Sequence, residues 1–165
     1  MESMKRQVIT LCLLLTAVFA GAQENVGLKK GFIHTAGIGA AYKINDHADV
    51  FPELGVGYRV NAKNAFGIAG QLDCVVLKAN LFLFHTYDFL SKPSSPYIEY
   101  KAGVYDLMSR PGWLLGVQGG YRFSVAKKIP LRIGLTVDVN QITLLVDGGR
   151  KTEKVSIGLV LKTEF

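Results

Sequence analysis

A strict period of two dominates the last third of the chain. From residue 131, Leu131, Ile133, Leu135, Val137 and Val139 alternate with Arg132, Gly134, Thr136, Asp138 and Asn140. The pattern returns at Val155, where Val155, Ile157, Leu159, Leu161, Thr163 and Phe165 alternate with Ser156, Gly158, Val160, Lys162 and Glu164. A β-strand points successive side chains to opposite faces, so each segment has one mainly apolar face and one polar or small face.

The same period runs through 32–43, 54–61, 66–74, 98–105 and 113–124, giving seven strands. An eighth belongs within 78–90, between a turn near 78–80 and the breaker Ser91-Lys92-Pro93-Ser94-Ser95-Pro96. Its register is open, because Leu81, Leu83 and Tyr87 compete with Phe82 and Phe84 for the apolar face. Turn chemistry marks Asn45-Asp46, 61–64, Arg110-Pro111-Gly112, 127–130 and Asp147-Gly148-Gly149. Strands joined by such short connections form an antiparallel meander, and eight of them close into an up-and-down barrel. The expected fold is therefore all-β, an eight-stranded antiparallel up-and-down transmembrane β-barrel. At 165 residues the chain suits one such domain.

The first residues read differently. Lys5 and Arg6 precede an apolar run over 8–19, then Ala20-Gly21-Ala22 and the polar Gln23-Glu24-Asn25. This is the layout of a secretory signal peptide, so 1–22 is expected to be removed and 23–165 to form the barrel. Beyond it no segment reaches the roughly 18 apolar residues of a spanning helix. Cys12 lies inside the apolar run, which leaves Cys74 alone, expected as a small apolar wall residue without an internal disulfide or zinc-ligand spacing. The charge of +6 comes from scattered basic residues, not the stripe that nucleic-acid binding requires.

Alternation alone leaves open which face is outside. The polar face is largely glycine and alanine, with one or two long polar residues per strand. An eight-stranded barrel has an interior just wide enough for side chains to fill, and small residues make room there for long ones. Polar-inside is therefore expected, with the charges Arg59, Asp73, Glu99, Lys101, Arg122, Arg132, Asp138, Lys162 and Glu164 in the lumen beside Gln71, Gln118 and Asn140. Charges cut off from water must pair, so salt bridges across the barrel are expected, such as Arg132 or Asp138 with Lys162 or Glu164. Such a network either plugs the lumen or opens a narrow solute path when pairs exchange. Aromatic girdles are expected at both interfaces, with Phe32, Tyr58, Tyr97, Tyr121, Phe123 and Phe165 at one and Tyr42, Phe51 and Trp113 at the other.

The ending Val155-Ser156-Ile157-Gly158-Leu159-Val160-Leu161-Lys162-Thr163-Glu164-Phe165 resembles the terminal strand of Gram-negative outer-membrane barrel proteins. The mature chain as a whole resembles their small eight-stranded members, including porin-like proteins of Bacteroidetes-type bacteria. That resemblance implies residence in the outer membrane among lipid and lipopolysaccharide, with Phe165 as the signal read by the barrel-assembly machinery. It also implies a monomer with a structural or minor-porin role and no catalytic, cofactor or metal site. One alternative is a soluble periplasmic barrel holding an apolar ligand. Another is a lipid A-modifying barrel enzyme, but none of His34, His47 and His85 is followed two positions later by the serine those enzymes use. Asp46, His47 and Asp49 are a weaker candidate for a metal site in a loop. Short outer connections near 45–50, 77–80, 108–112 and 146–152 suit a sparsely decorated barrel.

Overall fold

Period-two stretches become strands in the computed structural model, which describes residues 30–44, 47–109, 111–125, 129–143 and 151–165. The strands are β1 (Gly31–Lys43), β2 (Ala48–Arg59), β3 (Asn64–Asp73), β4 (Lys78–Asp88), β5 (Ser95–Tyr105), β6 (Gly112–Val125), β7 (Ile129–Thr143) and β8 (Lys151–Glu164). Each pairs antiparallel with the next, and β8 returns to β1, so the sheet closes with no free edge. The expected all-β barrel of eight strands is the observed fold. The expected signal peptide lies outside the described residues, as do the turn residues at 45–46, 110, 127–128 and 147–149.

Register gives the barrel its shape. A path started at Phe32 passes Tyr58, Phe66, His85, Tyr100, Val117, Val137 and Ile157, and returns to β1 at Tyr42, ten residues further along. With about 3.3 Å per residue and about 4.8 Å between strands, that stagger tilts the strands by about 40° from the axis. The β1–β8 seam runs from Thr35↔Glu164 to Lys43↔Ser156. Beyond it the His34 amide donates to the Phe165 carbonyl at 2.6 Å and the Phe165 amide to that of His34 at 2.9 Å.

Three local readings change. β2 begins at Ala48, not near residue 54, and runs through Pro52. The β2–β3 ladder stops at Glu53↔Gln71 and is taken up again by the Cys74 amide donating to the Val50 carbonyl at 3.0 Å. Pro52 thus sits in a gap of the ladder, where its missing N–H costs little. The turn expected near 78–80 lies instead at 74–77. Asp73 Oδ1 accepts from the Val75 and Val76 amides at 3.1 and 3.0 Å, and Leu77 takes a φ of 54°. That carboxylate folds the β-favouring Val75-Val76 into a turn and carries Cys74 off the wall. Finally, Phe51 and Tyr97 belong to neither girdle. Both are buried in the interior. Gly39 explains Phe51: a Cβ there would stand 2.3 Å from the Phe51 ring, so the missing side chain is what admits it.

Burial is inverted relative to a water-soluble domain. Leu83, Leu135 and Leu159 expose 64%, 61% and 58% of their surface on the outside, whereas Arg59, Arg122, Arg132 and Lys162 are at most 1% exposed. Aromatics on the exterior meet across strands: Phe32 edge-on to Tyr58 at 5.4 Å, and, stacked, Phe66 on His85 at 4.3 Å and His85 on Tyr100 at 6.2 Å between ring centroids.

Candidate functional site

The interior is built from one parity of every strand, and its charges fall into three tiers. Lowest, at the end where β1 starts, lie Arg59, Asp88, Arg122, Arg132 and Glu164. Asp88 Oδ2 accepts from Arg122 at 2.6 Å, Arg59 at 3.1 Å and Arg132 at 3.4 Å. Glu164 accepts from Arg59 on both oxygens, at 2.9 Å from Nε on Oε1 and 2.8 Å on Oε2, and lies 2.7 Å from Arg132 through Oε2. Arg122 also donates to the carbonyls of Lys92 at 2.8 Å and Pro93 at 3.3 Å, latching the 89–94 connection to the lumen.

The middle tier holds Glu53, Glu99, Lys101 and Lys162. Lys162 bridges Glu99, at 2.7 Å, and Glu53, while Lys101 reaches Glu53 at 3.3 Å. Thr86 donates to Glu99 at 2.8 Å, and Arg132 approaches the same carboxylate at 3.9 Å, joining this tier to the lowest. Aromatic faces fill the space between charges: Lys101 lies 5.1 Å from the Phe82 centroid, Lys162 5.8 Å from Phe84 and Arg132 5.3 Å from Tyr97. Gln118 donates to the Tyr97 hydroxyl at 2.6 Å.

At the far end Lys43 bridges Asp49, at 3.1 Å, and Asp73. Asp138 stands apart. Its carboxylate accepts from Thr136 at 3.2 Å, and among the described residues no cation lies within 4.0 Å of it. It projects over Gly116, where a Cβ would meet its Oδ1 at 2.0 Å. At the rim Lys78 pairs with Asp106 at 3.2 Å.

All nine charges read from the sequence are buried in this interior. The structure joins Arg132 to Glu164 and Lys162 to Glu99, places Asp73 with Lys43, and leaves Asp138 outside the pairs. Lys43, Asp49, Glu53 and Asp88 join them and were missing from the sequence reading, as was the buried Asp106 at the rim. Parity could have found the first four. Asp49, Phe51 and Glu53 share the parity of Arg59 once β2 is carried back through Pro52, and Asp88 shares that of Phe82, Phe84 and Thr86. Gln71 is half-buried, Asn140 buried. The histidines lie elsewhere. His34 stacks on Phe165 at 6.0 Å on the outside, and His85 faces outward with its Nε2 3.1 Å from Asn64 Oδ1. His47 lies beside Asp49 and Asp73, with one ligand atom of each residue within 4.8 Å of the others. Asp46 is outside the described residues.

The fold has a counterpart among solved structures. Neisserial surface protein A, NspA, superposes with a TM-score of 0.58 at 18% identity, over 81% of this chain and 96% of its own. A likeness at that identity speaks for the fold, and nearly the whole of NspA follows the same path. A de novo designed transmembrane β-barrel aligns at a TM-score of 0.43 and 16% identity over 85% of this chain and 98% of its own, too loosely to argue from. No protein-family model matches the sequence, and no curated protein matches it significantly.

Proposed function

We propose that the chain is an integral outer-membrane β-barrel with a structural or minor-porin role, its lumen closed by its own ion pairs. The inverted burial carries this reading. Water would penalise the broad apolar exterior, whereas a bilayer satisfies it, and a closed barrel leaves no backbone group unpaired in lipid. The end where β1 starts then faces the periplasm and the far end the outside. A soluble barrel holding an apolar ligand needs the opposite distribution, and the lipid A enzyme needs a serine two positions after a histidine, where His34, His47 and His85 are followed by Ala36, Asp49 and Tyr87. NspA, named as a surface protein, lends support through its fold. Placement among Bacteroidetes-type porin-like proteins rests on the sequence pattern alone.

In a Cys74→Ala background, Ile133→Cys should resist a water-soluble maleimide and react with a lipid-phase probe, and Thr136→Cys should do neither until the barrel is unfolded. Equal aqueous labelling of both folded variants, or recovery of the wild-type protein by osmotic shock without detergent, sinks the reading. Opening must break several pairs together, so single-channel records should show small, intermittent currents. A large steady conductance overturns the plugged lumen. Phe165 serves as the assembly signal in this proposal, and Phe165→Ala should lower the heat-modifiable, folded fraction recovered from membranes several-fold. An unchanged fraction removes that role.

A further inference from the structure

Charge does not balance along the lumen. The middle tier is neutral, with Lys101 and Lys162 against Glu53 and Glu99, and the lowest tier has one excess positive charge. The far tier sets Lys43 alone against Asp49, Asp73 and Asp138, an excess of two negative charges. Asp138 is buried, exposing 5% of its surface, and has no ionic partner among the described residues, on the wall of the same small chamber as Lys43, Asp49 and Asp73. The free space in that chamber is about 10 Å³, enough for one water molecule or one metal ion and too little for an organic solute.

We propose that the cluster of His47, Asp49 and Asp73, of which the two aspartates line this chamber, is a divalent transition-metal site of the Zn²⁺ class. One ligand atom of each already lies within 4.8 Å of the other two. Around a tetrahedral zinc such atoms are about 3.3 Å apart, a contraction within reach of side-chain rotation, and His47 sits on a turn. An imidazole with two carboxylates favours zinc over calcium, which takes six or more oxygens. The Lys43 ammonium marks the spot, since it already bridges both carboxylates as a tethered cation. When the metal enters, Lys43 turns to Asp138. Two charges from the metal and one from Lys43 then neutralise the three carboxylates. His47, beside the β1–β2 turn, is the point of entry from outside. The site does not depend on whether the barrel conducts.

The test uses the full mature chain, folded in detergent, stripped with a chelator and titrated calorimetrically with ZnCl₂ and separately with CaCl₂. One equivalent of Zn²⁺ should bind, with Ca²⁺ at least about tenfold weaker. His47→Ala and the double variant Asp49→Asn/Asp73→Asn should each weaken Zn²⁺ by about ten- to a hundredfold. Lys43→Met, which removes the competing ammonium, should tighten it. Heat-modifiable migration checks that each variant is folded, and His47→Ala, at a half-buried turn position, keeps the test open if a lumen variant fails to fold. No saturable Zn²⁺ binding by both wild type and Lys43→Met overturns the site. So does tighter Ca²⁺ than Zn²⁺ binding, or Zn²⁺ affinity unchanged in folded His47→Ala.

Discussion

Asp88→Ala should cost about 3–5 kcal/mol of unfolding free energy, the range for removing one partner of a buried ion pair. Three guanidinium groups converge on Asp88 Oδ2, at 2.6, 3.1 and 3.4 Å. Without it, the lowest tier sets Arg59, Arg122 and Arg132 against Glu164, with Glu99 reached by Arg132 only at 3.9 Å and already held by Lys162, which leaves an excess of two positive charges there. The pairs themselves are not a source of large net stability, since desolvation offsets their attraction. The cost arises because the surviving charges stay buried. Adding Arg122→Met to Asp88→Ala should therefore recover part of the loss, in contrast to the additive effect of independent sites. Reversible urea unfolding in lipid vesicles, followed by the fluorescence of Trp113, the chain's one tryptophan, measures both. A loss below about 1 kcal/mol for Asp88→Ala, or none recovered by the double variant, contradicts the interlocked network.

The sequence disclosed the barrel where its two faces differ in chemistry. On β7 and β8 apolar residues face out and polar or glycine residues face in with few exceptions, so both strands and their charges could be read directly. β4 defeated that reading for a physical reason: its inward face carries Phe82 and Phe84 as platforms for Lys101 and Lys162, so both faces look apolar. Asp88 was hidden with them, although it is the most shared acceptor of the lowest tier. Phe51 and Tyr97 misled in the same way, because an aromatic beside charges inside a narrow barrel looks in sequence like an aromatic at a membrane boundary. Pro52 concealed the first half of β2, and with it Asp49 and Glu53. Pairings across the lumen, such as Arg59 with Glu164 and Lys101 with Glu53, depend on shear and side-chain reach, which no single strand records.

Leu135→Arg tests the other half of the reading, the outer wall. Leu135 lies at the middle of β7 and exposes 61% of its surface, one residue before Thr136, which is fully buried in the lumen. An arginine on the lipid face at the bilayer midplane costs about 2–4 kcal/mol, falling to about 0–1 kcal/mol near the interfaces. Val125→Arg, at the end of β6, should therefore cost far less than Leu135→Arg, although Val125 too is exposed, at 45%. Barrel packing gives no reason for that difference, since both side chains point away from the interior. Only a hydrocarbon slab of finite thickness makes the cost depend on height along the axis. Equal penalties at the two positions, measured by unfolding in vesicles, would mean that the apolar exterior is not covered by lipid. A steep difference would locate the bilayer on the barrel from the stability data alone.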